Sequence, residues 1–103
     1  MRFLAVLTTI DDEIRARALA MALVEQRLVA CAQISRIESV YRWEGEVQQE
    51  PEYRLLLKTT EARYPELEHA ISTLHPYETP AIVALPVEKA EAAFGDWIAS
   101  ETR

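Results

Sequence analysis

The residues best placed to do chemistry sit in seven consecutive positions, Leu74-His75-Pro76-Tyr77-Glu78-Thr79-Pro80. Imidazole and carboxylate are both good ligands for borderline divalent metals. His75 and Glu78 are therefore candidate ligands for a copper or zinc ion, across a turn that two prolines stiffen. Each proline fixes its own φ, and the residue before it is pushed toward extended backbone. The competing reading of His75 is a helix C-terminal histidine attracted to the negative end of the dipole.

Three further groups merit attention. Tyr41 and Trp43 alternate with Arg42 and Glu44 just before Gly45. An aromatic pair on one face near a hairpin tip reads as either an interface or a pocket wall, and aromatics are enriched at interface cores. Lys58 stands between Leu57 and Thr59. A lysine amid apolar neighbours suggests an ion pair or an anionic ligand, and the plainer alternative is a snorkelling edge lysine. With Tyr41, Trp43, Tyr77 and Glu78, it is a candidate to line a cleft between subunits that holds a small anionic or nucleotide-like molecule. Cys31 lies in an apolar run and reads as core packing. His69 reads as a surface residue. No nucleophile elbow, zinc-protease helix or phosphate-cradling glycine loop is present, and the chain has only two glycines.

These residues must be held by the elements around them. Phe3 to Thr8 is apolar on both faces of a period-two pattern, which predicts an interior strand. Thr9 to Glu13 then supplies a helix start, and Ala16, Leu19, Ala20, Leu23 and Val24 carry the helix to Arg27 or Leu28. A second strand is expected from Val29, with a bulge at Ser35-Arg36 where alternation breaks. Gly45 marks a hairpin turn. Pro51 predicts an interruption in the returning strand, whose first part is an edge. Tyr53 to Thr60 predicts a firm strand with Leu55, Leu56 and Leu57 buried on both faces. Pro65 opens a second helix carrying Leu67, Ile71 and Leu74, and His75-Pro76 ends it. Ala81 to Leu85 is a fourth strand closed by Pro86. Glu88 to Thr102 forms a last helix.

The order β-α-β-β-α-β plus a helix predicts an α+β, ferredoxin-like fold with an antiparallel sheet. Right-handed crossovers put both main helices on one sheet face. The other face is apolar, and only the last helix is available to cover it, so self-association is expected.

Length and charge bound the rest. A chain of 103 residues predicts one domain, residues 1–103. Its net charge of −6 argues against nucleic acid and against anionic membranes. A single cysteine forbids an intrachain disulfide and suits a reducing compartment. Met1-Arg2 is followed by only a strand-length apolar run, which predicts no signal peptide and a cytoplasmic protein.

Five segments carry a resemblance. Cys31-Ala32-Gln33-Ile34, Tyr41-x-Trp43-Glu44-Gly45, Leu57-Lys58-Thr59, His75-Pro76-Tyr77-Glu78-x-Pro80 and Ala84-Leu85-Pro86-Val87 are similar to motifs of the CutA family of divalent-cation tolerance proteins. Asp11 after the first strand and Trp97 in the last helix fit the same pattern. The resemblance implies a tight homotrimer similar in fold to PII signalling proteins, and the aromatic residues Tyr41, Trp43 and Trp97 are its expected interface residues. It implies a role in tolerance of copper and other divalent metals, and no enzymatic activity. The ligands proposed in copper-binding members are a cysteine ending the first strand and two consecutive histidines. Those positions hold Thr8, Leu74 and His75 here, so only one donor of that set remains. Ala90-Glu91 stands where a Gly-Asn pair often precedes the last helix, which implies an earlier helix start.

Overall fold

A computed structural model describes Met1–Arg103. In chain order it runs β1 (Phe3–Ile10), α1 (Glu13–Glu25), β2 (Cys31–Trp43), β3 (Glu46–Thr60), a 3-10 turn (Glu61–Arg63), α2 (Tyr64–Leu74), β4 (Ile82–Val87) and α3 (Ala92–Glu101). The strands form one antiparallel sheet in the order β2-β3-β1-β4. This is the ferredoxin-like α+β arrangement read from the sequence.

The alternation in β1 sets the layers. Leu4, Val6, Thr8 and Ile10 are buried beneath the helices, while the odd positions face the other side. Ala16, Leu19, Ala20 and Leu23 of α1 and Leu67 and Ile71 of α2 close on that face, together with Leu55 and Leu57 of β3. Truncating one of these leucines or isoleucines to alanine costs about 2–5 kcal/mol. Asp12 caps α1, its carboxylate accepting from the Ile14 N–H at 3.3 Å. The helix ends at Glu25, short of Arg27, because Arg27 adopts a left-handed φ of 60° that no helix interior allows. From there Arg27 donates to the carbonyls of Ser100 at 2.7 Å and Arg103 at 3.1 Å, pinning the end of α3.

The β2–β3 hairpin pairs without interruption from Cys31 opposite Lys58 to Trp43 opposite Glu46. Its turn, Glu44-Gly45, has φ of 50° and 80°, the two positive values that a type I′ turn requires. The bulge expected at Ser35-Arg36 is absent. Those polar residues mark where the ribbon passes beyond the helical core, so the hydrophobic pattern fades while the pairing continues. Pro51 likewise does not break β3, where it stands opposite Glu38. It is tolerated because β1 pairs with β3 only from Tyr53 onward, leaving one side of that stretch free. Pro86 is inside β4 and not at its end, for the same reason: β4 is the sheet edge and pairs only with β1.

The last helix starts at Ala92, four residues later than the expected Glu88, so Ala90-Glu91 does not bring its start forward. Glu91 is its N-cap, accepting from the N–H groups of Ala93 and Phe94 at 3.0 Å each. Nor does α3 cover the second sheet face. It packs at the Phe3 end, where a Cβ on Gly95 would stand 3.1 Å from the Phe3 ring. Val83 and Leu85 on the same face remain 53% exposed. Leu56, expected to be fully buried, also lies on this open face and is half-buried. Cys31 shares it, half-buried opposite Lys58 and outside the helical core.

Candidate functional site

The proline corner forms as the sequence predicts. His75 is the C-cap of α2, with ψ of 137° because Pro76 follows, and its N–H still donates to the Ile71 carbonyl at 2.8 Å. Its side chain turns back into the protein and is 7% exposed. Nδ1 accepts from the Tyr77 N–H at 3.1 Å, so the proton sits on Nε2, which donates to the Thr9 carbonyl at 2.7 Å. Both ring nitrogens are thus engaged with backbone. The imidazole locks the corner onto the end of β1, and a metal ion at either nitrogen has to displace one of these bonds.

Tyr77 extends the corner toward the hairpin. Its ring lies 4.6 Å from that of His75, tilted by 59°. Its hydroxyl donates to Glu52 Oε2 at 2.7 Å. Burial, followed by the bond to Glu52, pushes the phenol far above its ordinary value and keeps it neutral. Glu52 itself is only 6% exposed. One step along the same strand face, Glu50 accepts from the hydroxyl of Tyr41. That bond first, and desolvation second, raise the Tyr41 phenol to about 12.

These groups border a cleft of about 700 Å³ on the open side of the sheet. Its walls are Tyr41, Trp43, Glu50 and Glu52 from the ribbon, Tyr77, Glu78 and Thr79 from the corner, and Thr9 from β1. Glu38 and Val40 border it too, but the pairing register assigns their side chains to the opposite face of the ribbon. Asp11 is near enough for its charge to act on both Tyr41 and Tyr77. No lysine, arginine or histidine lines the cleft. Arg54, next after Glu52 on that face, is exposed and makes no ion pair.

The candidate residues separate accordingly. Tyr41, Trp43, Tyr77 and Glu78 come together in one cleft, and His75 stands behind it as its support. Lys58 does not join them. It pairs with Cys31 nearer the other end of the sheet and donates to Gln33 Oε1 at 2.5 Å. Within one chain, then, the residues lining the cleft carry no cation. Trp97 is on α3 at the Phe3 end, stacked on Phe94 at 5.7 Å, also away from the cleft. Glu50 and Glu52 were missed from the sequence. The signal was the two-residue Gly45 turn, whose register places both on the Tyr41 face. His69 is exposed, as expected.

The acidic wall does not form a preassembled metal centre, since no three His, Cys, Asp or Glu side chains converge on one point. Thr8 is fully buried on the helical face, its hydroxyl without a partner, and Leu74 offers no donor atom.

Comparison with known proteins agrees with this geometry. The family model "CutA1 divalent ion tolerance protein" matches residues 4–101. A divalent-cation tolerance protein CutA from Thermus thermophilus is 45% identical over 98 residues, covering 94% of this chain and 95% of that protein. The solved structure of a Thermus thermophilus divalent cation tolerance protein superposes with a TM-score of 0.94 at 43% identity, covering 98% of this chain and 99% of the other. A CutA structure from Archaeoglobus fulgidus, described as periplasmic, gives 0.95 at 30% identity over 100% of both chains. Relatives are named for tolerance of divalent cations and not for a catalysed reaction. No helix is long and apolar enough to cross a membrane. With the family model spanning residues 4–101 and a relative 45% identical over nearly the whole of both chains, this chain belongs to the CutA1 divalent ion tolerance protein family.

Proposed function

We propose that the protein is a cytoplasmic homotrimer that binds divalent cations, copper and zinc among them, weakly and serves divalent-metal homeostasis. The observation that carries this reading is the run of carboxylates, Glu50, Glu52 and Glu78, facing one cleft without a cationic partner. Buried charges are ordinarily paired or bound to a metal, and Glu52 meets only a neutral phenol. Binding is weak because the carboxylates are spread out and the His75 nitrogens are already engaged. His75 acts chiefly by positioning Tyr77 and Glu78.

Calorimetric titration of metal-free protein with Cu(II) and Zn(II) tests it. Glu78→Gln is expected to weaken binding. A His75→Ala variant that binds like wild type assigns His75 to support. An absence of metal binding in the wild type overturns the reading. Trimer assembly is supported by the open apolar face around Val83 and Leu85 and by the overhanging hairpin. Sedimentation equilibrium of wild type and Trp43→Ala measures it, and a monomeric wild type refutes it.

A further inference from the structure

The cleft around Glu78 combines features that a bare metal ion does not use. It is large, at about 700 Å³, within the range of small-molecule sites. Three aromatic side chains, Tyr41, Trp43 and Tyr77, share its walls with Glu50, Glu52 and Glu78. A divalent metal needs several donors converging at about 2.0–2.6 Å from one point, and no three do so here.

The carboxylates are instead arrayed along a surface. Glu50 and Glu52 are two residues apart on one strand face, a separation of roughly 6.6 Å. Tyr41 and Tyr77 each hold one of them with a hydroxyl hydrogen bond, leaving a second carboxylate oxygen free to accept. Trp43 is 45% exposed at the same wall and offers a ring face. Ring faces attract ammonium groups, most strongly when these are partly desolvated.

We propose that this cleft binds a linear organic polyamine, with its ammonium groups on Glu50, Glu52 and Glu78 and its methylene chain against Tyr41, Trp43 and Tyr77. The inference rests on reading the cleft as a cation site and names the class of cation. Spaced carboxylates match ammonium groups spaced along an aliphatic chain, and the aromatic surface between them suits the methylenes. A divalent metal at the same wall meets one or two carboxylates and remains largely hydrated.

The experiment is calorimetric titration of the full chain with spermidine, with magnesium as a charge control and Cu(II) and Zn(II) on the same preparations. Saturable spermidine binding is expected, with magnesium a poor competitor. Glu78→Gln, at an exposed loop position, and Trp43→Leu, which leaves the charge unchanged, are each expected to weaken it about tenfold. Circular dichroism and assembly size of each variant identify any that misfold. Silent spermidine with bound metal overturns this inference and leaves the metal reading standing, whereas silence from both removes the cation site itself. Equal displacement by magnesium, or a folded Trp43→Leu variant that binds like wild type, reduces the effect to counter-ion attraction and also overturns it.

Discussion

Tyr77 donates its hydroxyl hydrogen to Glu52 across 2.7 Å, joining the proline corner to the long hairpin. The two residues are 25 positions apart in sequence, and neither element holds the cleft alone. Tyr77→Phe keeps the ring against His75 but removes the one hydrogen bond made to a carboxylate that is 6% exposed. The expected cost is about 1–3 kcal/mol, from leaving a buried acceptor unsatisfied. Urea unfolding measures it. A Tyr77→Phe, Glu52→Leu double variant is expected to lose less than the sum of the single changes, because both remove the same bond.

Tyr41 supplies a spectroscopic test of the acidic wall. Its phenol is raised from 10.0 to about 12, first by the hydrogen bond to Glu50. Absorbance titration is expected to show one tyrosine ionising near that value. Glu50→Gln moves it back toward 10.0. A titration unaltered by the substitution contradicts the assigned bond.

Thr8→Val is expected to stabilise the protein. The Thr8 hydroxyl is fully buried among apolar neighbours and has no hydrogen-bond partner. Valine has nearly the same shape and removes the unsatisfied group, for a gain on the order of 1 kcal/mol. Thermal unfolding shows the effect as a raised Tm.

Glu91 gives a pH dependence whose sign is fixed. Its carboxylate accepts from two N–H groups at the start of α3, which lowers its pKa below the ordinary 4.5. The charged form is the one stabilised by folding. Its contribution is complete above the ordinary value and is lost as pH falls through the lowered one. Fraying of α3 on acidification is expected to be weaker in Glu91→Gln, which begins with a poorer cap at neutral pH. Amide exchange of Ala93 and Phe94 reads this directly.

The residues that sequence reading handled well are those whose signal is local. The β1 alternation, the Gly45 turn and the Pro65 and Pro76 boundaries of α2 each depend on a few neighbouring side chains. The prolines at 51 and 86 misled because their effect depends on whether a strand lies on the N–H side, which only the sheet order decides. Lys58 follows three leucines on its strand, and its neighbours do not show that the pairing register sets it beside Cys31, apart from Tyr41 and Trp43 of the same chain. His75 looked like a free ligand, and nothing in its neighbours shows that backbone groups of Thr9 and Tyr77 occupy both nitrogens. Glu50 and Glu52 became visible as site residues only once the hairpin register was known.

The overhanging half of the β2–β3 ribbon has a further consequence. Between the Gly45 turn and Tyr53 it is braced by no third strand, and it stretches the molecule to 44 Å against widths of 25 and 22 Å. A two-stranded ribbon alone is only marginally stable in water. Yet Tyr41, Trp43 and Glu50 all sit on it. Whatever packs on this ribbon therefore also preorganises the cleft, and whatever fills the cleft stiffens the ribbon. By mass action, occupancy of the site and the packing of any second chain on the ribbon become a single linked equilibrium.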